Sequence, residues 1–225
     1  MVSGKANSSS HGSETGADPA RKRRGEKRVK PPLNETTLRD LALHYAARFA
    51  TTGARLEAYL LRKIRERGLA EGSDGRSVSP DVPALVARLV ELGYVDDDAY
   101  ARMRARDLGA RGYGGRRVDQ ALRHAGVEDN VRQAHAPGEA ASRRAAALMA
   151  QKRRLGPWAT AGARAETESP DPLAARKAHE KAVAAMLRAG HQYDHVRFIL
   201  AARGAEDVEQ WLGEAADEEG IEGLW

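Results

Sequence analysis

Residues 92–127 read LGYVDDDAYARMRARDLGARGYGGRRVDQALRHAGV. Gly93 ends one helical segment, and Asp96-Asp97-Asp98 opens the next, because carboxylates at a helix start are favoured by the backbone dipole. That helix is expected to run to about Ala110. Arg111-Gly112-Tyr113-Gly114-Gly115 then makes a tight turn into a second helix, which carries Val118, Ala121 and Leu122 on one face and stops at Gly126. A short third helix, from Glu128 to about His135, completes a three-helix unit.

The same order of signals recurs on either side. Ile64-Arg65-Glu66-Arg67-Gly68, Leu122-Arg123-His124-Ala125-Gly126 and Met186-Leu187-Arg188-Ala189-Gly190 each close a helical stripe. Each precedes a short helix with acids near its start: Asp81, Glu128/Asp129 and Asp194. Before the first stop, Thr37 with Asp40 reads as a capping box leading into Leu38, Leu41, Ala42, Tyr45 and Phe49. A second helix runs from Thr52 or Gly53 with Leu56, Leu60 and Ile64 facing inward. Ser79 as N-cap and Pro80 at the first helical position are expected to begin the third. After the middle unit, Pro137 starts a helix with Ala141, Ala145, Leu148, Met149 and Leu155 inward. Asp171-Pro172 opens the next, and Tyr193, Val196, Ile199 and Leu200 form the stripe that Gly204 ends. The expected organisation is a basic arm over 1–32, three-helix repeats over 33–95, 96–136 and 137–204, the last with an inserted loop at about 156–171, then a short helix and acidic tail over 205–225. The fold class is all-α, with the tandem repeats stacked in an elongated, curved array and disordered tails at both ends. An ordinary bundle with coincidental glycine stops is the competing architecture.

Composition agrees with helices. Aromatic residues are 5% of the 225, so the apolar positions fall to Leu, Val and Ala, which favour helix over strand. Absence of cysteine excludes disulfide scaffolds and thiolate chemistry. No run approaches a membrane span, and no secretory h-region is visible, so the expected setting is cytoplasmic. The net charge of +5 is unevenly spread: residues 1–32 hold 8 Lys/Arg against 3 Asp/Glu, residues 206–225 hold 8 acids and no base, and 33–205 holds 29 bases against 21 acids. A basic body suits an anionic partner, although a solvated arginine-rich surface would have the same composition.

Residues 92–127 also resemble the RecX family. Leu92-Gly93-Tyr94-Val95-Asp96-Asp97-Asp98-Ala99-Tyr100-Ala101-Arg102 is similar to that family's G-Y-[LIV]-[DN]-D-x-x-[FY]-A segment. Arg111-Gly112-Tyr113-Gly114-Gly115-Arg116-Arg117-Val118 is similar to its R-G-[YK]-G-x-x-[RK]-[IL] turn, and the ordered likeness extends from about 37 to 204. The resemblance implies three tandem three-helix repeats. It also implies a non-catalytic regulator that binds the RecA–DNA filament and inhibits or modulates recombinase and ATPase activity, in DNA repair, recombination and the SOS response. Partners would be the RecA filament and single-stranded DNA, with duplex DNA as a further candidate on the basic face, and no membrane; a monomer is expected. The alternative is a helix-turn-helix protein acting directly on DNA. The loops at 69–80 and 156–171, the arm and the tail depart from the family pattern.

The partner-binding candidates are the outward bases Arg55, Arg62 and Arg65 in the first unit, Arg116, Arg117 and Arg123 in the second, and Arg143, Lys152, Arg153 and Arg154 in the third. For each, a solvated face is the rival account. Tyr113 either stacks on a partner or braces its turn, and bracing is the simpler role. His191 and His195 have zinc-ligand spacing without a third ligand, so they are expected to be helix-surface residues rather than a metal site. No phosphate-binding loop and no nucleophile–base pair is recognisable. No cofactor, metal or catalytic residue is expected.

Overall fold

The computed structural model describes residues 31–70, 80–167 and 169–220. Among them are eleven α-helices and one isolated backbone bridge between Leu33 and Leu69. Most of the basic arm, Ser79 and the last five residues lie outside the described residues.

The first triplet is α1 (Glu35–Arg48), α2 (Gly53–Arg67) and α3 (Val82–Glu91). Helix α1 is capped one turn earlier than Thr37 and Asp40 suggested. Asn34 is the N-cap, its side chain accepts from the Thr37 amide at 2.8 Å, and the Thr37 hydroxyl accepts from the Asn34 amide at 2.9 Å. This reciprocal pair satisfies two amides that a helix start leaves without partners. Helix α3 instead starts two residues later than Ser79 and Pro80 suggested: Asp81 is its N-cap, its carboxylate accepts from Ala84 N at 2.9 Å, and Pro83 lies in the first turn. Leu38, Leu56, Leu60, Val82, Val86 and Leu89 make the first core. Phe49 follows the last turn of α1 and is exposed, contrary to the stripe expected there.

The second triplet is α4 (Asp97–Ala110), α5 (Gly115–His124) and α6 (Asp129–Ala134). Asp96 caps α4, accepting from Ala99 N at 2.8 Å. The core is thin: Tyr100, Ala101, Leu108, Val118, Leu122, Ala125 and Val127. Helix α6 buries no residue fully. Arg132 holds it instead, donating to Asp119 Oδ1 at 2.9 Å, to the Val127 carbonyl at 2.7 Å and to Asp129 Oδ1 at 2.6 Å.

The third triplet is α7 (Glu139–Arg153), α9 (Pro172–Arg188) and α10 (Tyr193–Ala201). The stretch expected as an inserted loop is instead a 3-10 turn at Gly156–Trp158 followed by α8 (Ala161–Thr167), which packs on α9. The alanines of this stretch carry helical propensity that its glycines and proline masked. The short terminal helix is also longer than expected: α11 (Ala205–Glu218) lies along α7. Val208, Trp211, Ala215 and Ala216 are buried, because the acids between them occupy the outer face. Met149, Met186, Val196, Ile199 and Trp211 dominate this core.

The triplets meet through a joint that is built twice. At the first, Thr52, the N-cap of α2, donates its hydroxyl to the carbonyl of Ala125 at the end of α5. At the second, Gly114, the N-cap of α5, donates its amide to the carbonyl of Ala189 at the end of α9 at 2.9 Å, and Arg116 N donates to Gly190 O at 3.2 Å. In each case the start of a middle helix meets the end of the next triplet's middle helix. Gly190, at φ +93°, turns the chain there, and a Cβ on it would lie 2.4 Å from Arg117 N. The first joint gains further ties: Asp97 Oδ1 accepts from Gly53 N at 2.9 Å, and Arg55 bonds the Tyr100 hydroxyl and covers its ring. Burial is the leading influence on Asp97 and raises its carboxyl above the usual value, against the Gly53 amide that lowers it. At the open end of the first triplet, Leu33 N donates to Gly68 O and Ala70 N to Leu33 O, both at 2.9 Å.

Candidate partner-binding surface

The expected bases fall into two groups. Arg65, Arg116, Arg153 and Arg154 are exposed, and their side chains have no hydrogen-bond or ion-pair partner among the described residues. The others are engaged within the fold. Arg55 belongs to the first joint. Arg62 pairs with Glu66 at 3.6 Å, Arg117 bonds Gln120 at 2.7 Å, and Arg123 bonds Asp119 at 2.8 Å. Lys152 reaches the Arg111 carbonyl at 3.4 Å. These four remain on the surface, where such contacts exchange readily with a partner's.

Arg143 is different. It was expected on the far side of α7, yet its side chain is only 15% exposed. Its Nε donates to Glu139 Oε1 at 2.7 Å, its Nη1 donates to the Trp211 carbonyl at 2.8 Å, and its guanidinium lies 4.8 Å from the indole centre. It fastens α11 to α7. His195 joins the same cluster with Nε2 3.0 Å from Glu139 Oε1 and its ring edge-on to Trp211. Burial would raise the Glu139 carboxyl, but the Arg143 and His195 hydrogen bonds outweigh it and hold the group below its usual value.

His191 and His195 are therefore not surface residues; both are buried. His191 Nε2 lies 3.1 Å from the Gly112 carbonyl across the second joint, so that nitrogen carries the proton, while Nδ1 is buried without a partner. Burial lowers its pKa, as does the nearby His195, against the Gly112 bond. No group of three or more His, Cys, Asp or Glu is arranged to hold a metal among the described residues.

Two clefts were not foreseen. One, of about 610 Å³, is bounded by the end of α7, α8 and α9; its lining includes Arg153, Arg154, Arg164, Lys181 and Arg203, with no carboxylate among the described residues. Only Arg153 and Arg154 could be picked from sequence, because the other bases come together through the folding of α8 against α9. Such a lining attracts phosphates or other anions. The other, of about 540 Å³, lies between α4 and α7 and includes Tyr113. Tyr113 is 38% exposed on its turn.

Known proteins resemble the chain throughout this framework. The family profile described as "RecX, second three-helix domain" matches residues 96–134. The "Regulatory protein RecX" of Myxococcus xanthus (strain DK1622) is 34% identical over 194 residues, spanning 84% of this chain and 97% of that protein. The chain belongs to the RecX family. A second "Regulatory protein RecX", from Mycobacterium sp. (strain JLS), is 37% identical over 102 residues, which is 44% of this chain and 51% of the relative. The crystal structure of RecX from Lactobacillus salivarius superposes with a TM-score of 0.52 at 18% identity, covering 80% of this chain and 96% of that one. That likeness is one of fold. No helix among the described residues is long and apolar enough to cross a membrane.

Proposed function

We propose that this RecX-family chain binds the RecA filament on DNA and restrains recombinase and ATPase activity by occupying the filament, without catalysis of its own, in the cytoplasm. The observation that carries the reading is that at both joints the start of one middle helix meets the end of the next, through the Thr52 hydroxyl on Ala125 and the Gly114 amide on Ala189. It sets successive three-helix modules in a repeated relation, and a repeating surface suits a partner that is itself a helical repeat, where several modest contacts add as a multivalent set. Arg65, Arg116, Arg153 and Arg154, left without partners among the described residues, and the base-lined cleft beside α8 supply cationic contacts for such a partner or its DNA. Arg62, Arg117, Arg123 and Lys152 are secondary contacts, and Tyr113 braces its turn.

The joints disfavour direct helix-turn-helix reading of DNA. In that mode the N-terminal residues of a recognition helix reach base edges in the major groove. Here the starts of α2 and α5 are packed against the following module. The deciding measurement is RecA's DNA-dependent ATP hydrolysis with increasing amounts of this chain. Suppression at protein levels far below those needed to bind bare DNA supports the reading, and an unchanged rate at saturation rejects it.

A further inference from the structure

We propose that the cleft between α4 and α7 is a docking site for a protein segment that presents one apolar side chain flanked by carboxylates. This rests on the reading of the chain as a filament-binding regulator and assigns one of its contacts to a protein surface rather than to DNA. Helix α7 has apolar residues on two sides. Ala146, Ala147, Met149 and Ala150 enter the third core. Ala141 and Leu148 face the cleft instead, and Ala141 is exposed although its spacing marks it as an inward position. Ala105, Gly109, Ala110 and Val118 complete a floor of small or aliphatic groups. Unlike a core, this trough has nothing of its own chain to fill it among the described residues.

The rim states the charge of the occupant. Arg102 and Arg106 stand one helical turn apart on α4 and line the cleft. The other two bases at the end of this element, Arg104 and Arg111, share Asp107 at 2.9 and 2.8 Å. Arg102 and Arg106 have no carboxylate among the described residues. Like charges at this spacing weaken a helix, and the fold gains nothing visible in return. An apolar floor beside two unsatisfied guanidinium groups fits an apolar anchor with acidic neighbours, which would be desolvated and paired together. A nucleic-acid strand fits less well, since the described lining offers Tyr113 as its one large aromatic ring, its imidazole at His135 being held by Asp98 at 2.6 Å, and stacking platforms use several free rings.

The test compares the full chain with two variants, Arg102→Glu/Arg106→Glu and Ala141→Trp. Fluorescence anisotropy would follow binding to RecA filaments on single-stranded DNA with a slowly hydrolysed ATP analogue, and to the bare strand at the same salt. Both variants should lose about tenfold or more in filament affinity, while Ala141→Trp, which leaves the charge unchanged, should bind bare DNA within about twofold of the parent. Parental filament affinity in both variants overturns the cleft assignment and leaves the filament reading intact. Equal weakening of Ala141→Trp towards filament and bare strand overturns it in favour of nucleic acid. A parent chain with no filament affinity overturns both. Should the charge reversal impair folding, Ala141→Trp decides alone, since position 141 is exposed.

Discussion

At the scale of single residues, the second joint depends on His191. Its Nε2 proton is given to Gly112 O, and Nδ1 faces no acceptor, so a second proton would be buried without a partner. The folded state therefore binds that proton less readily than the unfolded chain, whose histidines titrate near pH 6.5. Stability from this group is present above that pH and is lost as pH falls below it through the lower folded-state value. The melting temperature should drop on acidification from about pH 7.5 to about pH 5.5, and His191→Gln, which keeps a donor for Gly112, should flatten that slope. Glu139 acts in a lower window: its carboxyl is held below the usual value, so its contribution persists above the ordinary carboxylate range and fades only in stronger acid. Glycines give a second residue-scale contrast. At Gly114 a Cβ would fall 2.3 Å from Gly190 O, although the backbone there is ordinary, with φ −78°. Gly114→Ala should therefore cost about 2–4 kcal/mol through the joint. Gly213 lies within α11 with open space around it, and Gly213→Ala should add about 0.5–1 kcal/mol by helix propensity. Denaturant titration of both variants measures the difference. Sequence marks both as glycines and distinguishes neither, because the obstacle at position 114 comes from a segment 76 residues away.

At the scale of elements, local caps were legible at some helices and misplaced at others, as at Asn34 and Asp81, while ends that depend on distant residues left no signal. Asp96 and Asp171 cap from within their own turns and match expectation. Helix α7 starts at Gly138, which has no side chain to cap it. Glu219, just beyond α11, supplies the missing acceptor, taking the Ala140 amide at 3.0 Å. The acids at the end of the chain read as a solvated tail, yet one closes a helix across the third module. Trp211 has the same double identity, a stripe residue in sequence and in the fold the ring under Arg143 and beside His195 and Phe198. Trp211→Ala should cost about 3–5 kcal/mol. Near-ultraviolet circular dichroism should show the third core loosening first if α11 is as integral as its burial implies. Arg132 shows the reverse substitution, where ion pairs replace the apolar residues that α6 lacks.

At the scale of the whole molecule, the order of the modules could be inferred because a local glycine signal closes the middle helix of each. What joins them could not, since the joints use backbone carbonyls that leave no trace in residue type. Function divides along similar lines. Arg65, Arg116, Arg153 and Arg154 were recognisable as bases and are free of internal partners among the described residues. Arg143 looked equivalent and is committed to holding α11. Replacing Arg153 and Arg154 by glutamate, together with Lys181→Glu from the same cleft, should weaken binding to bare single-stranded DNA. It should also lower the dependence of log K on log salt by roughly 0.7 for each phosphate that is no longer neutralised. A variant that weakens without changing that slope would mean the cleft does not touch phosphates.

Leu33 closes the free end of α2. Its amide occupies at Gly68 the bonding role that Arg116 takes at Gly190, so the first module's socket is filled by the chain's own leading segment. A plug of this kind satisfies the Gly68 carbonyl from within the module, where at the end of α9 the same role falls to a neighbouring helix.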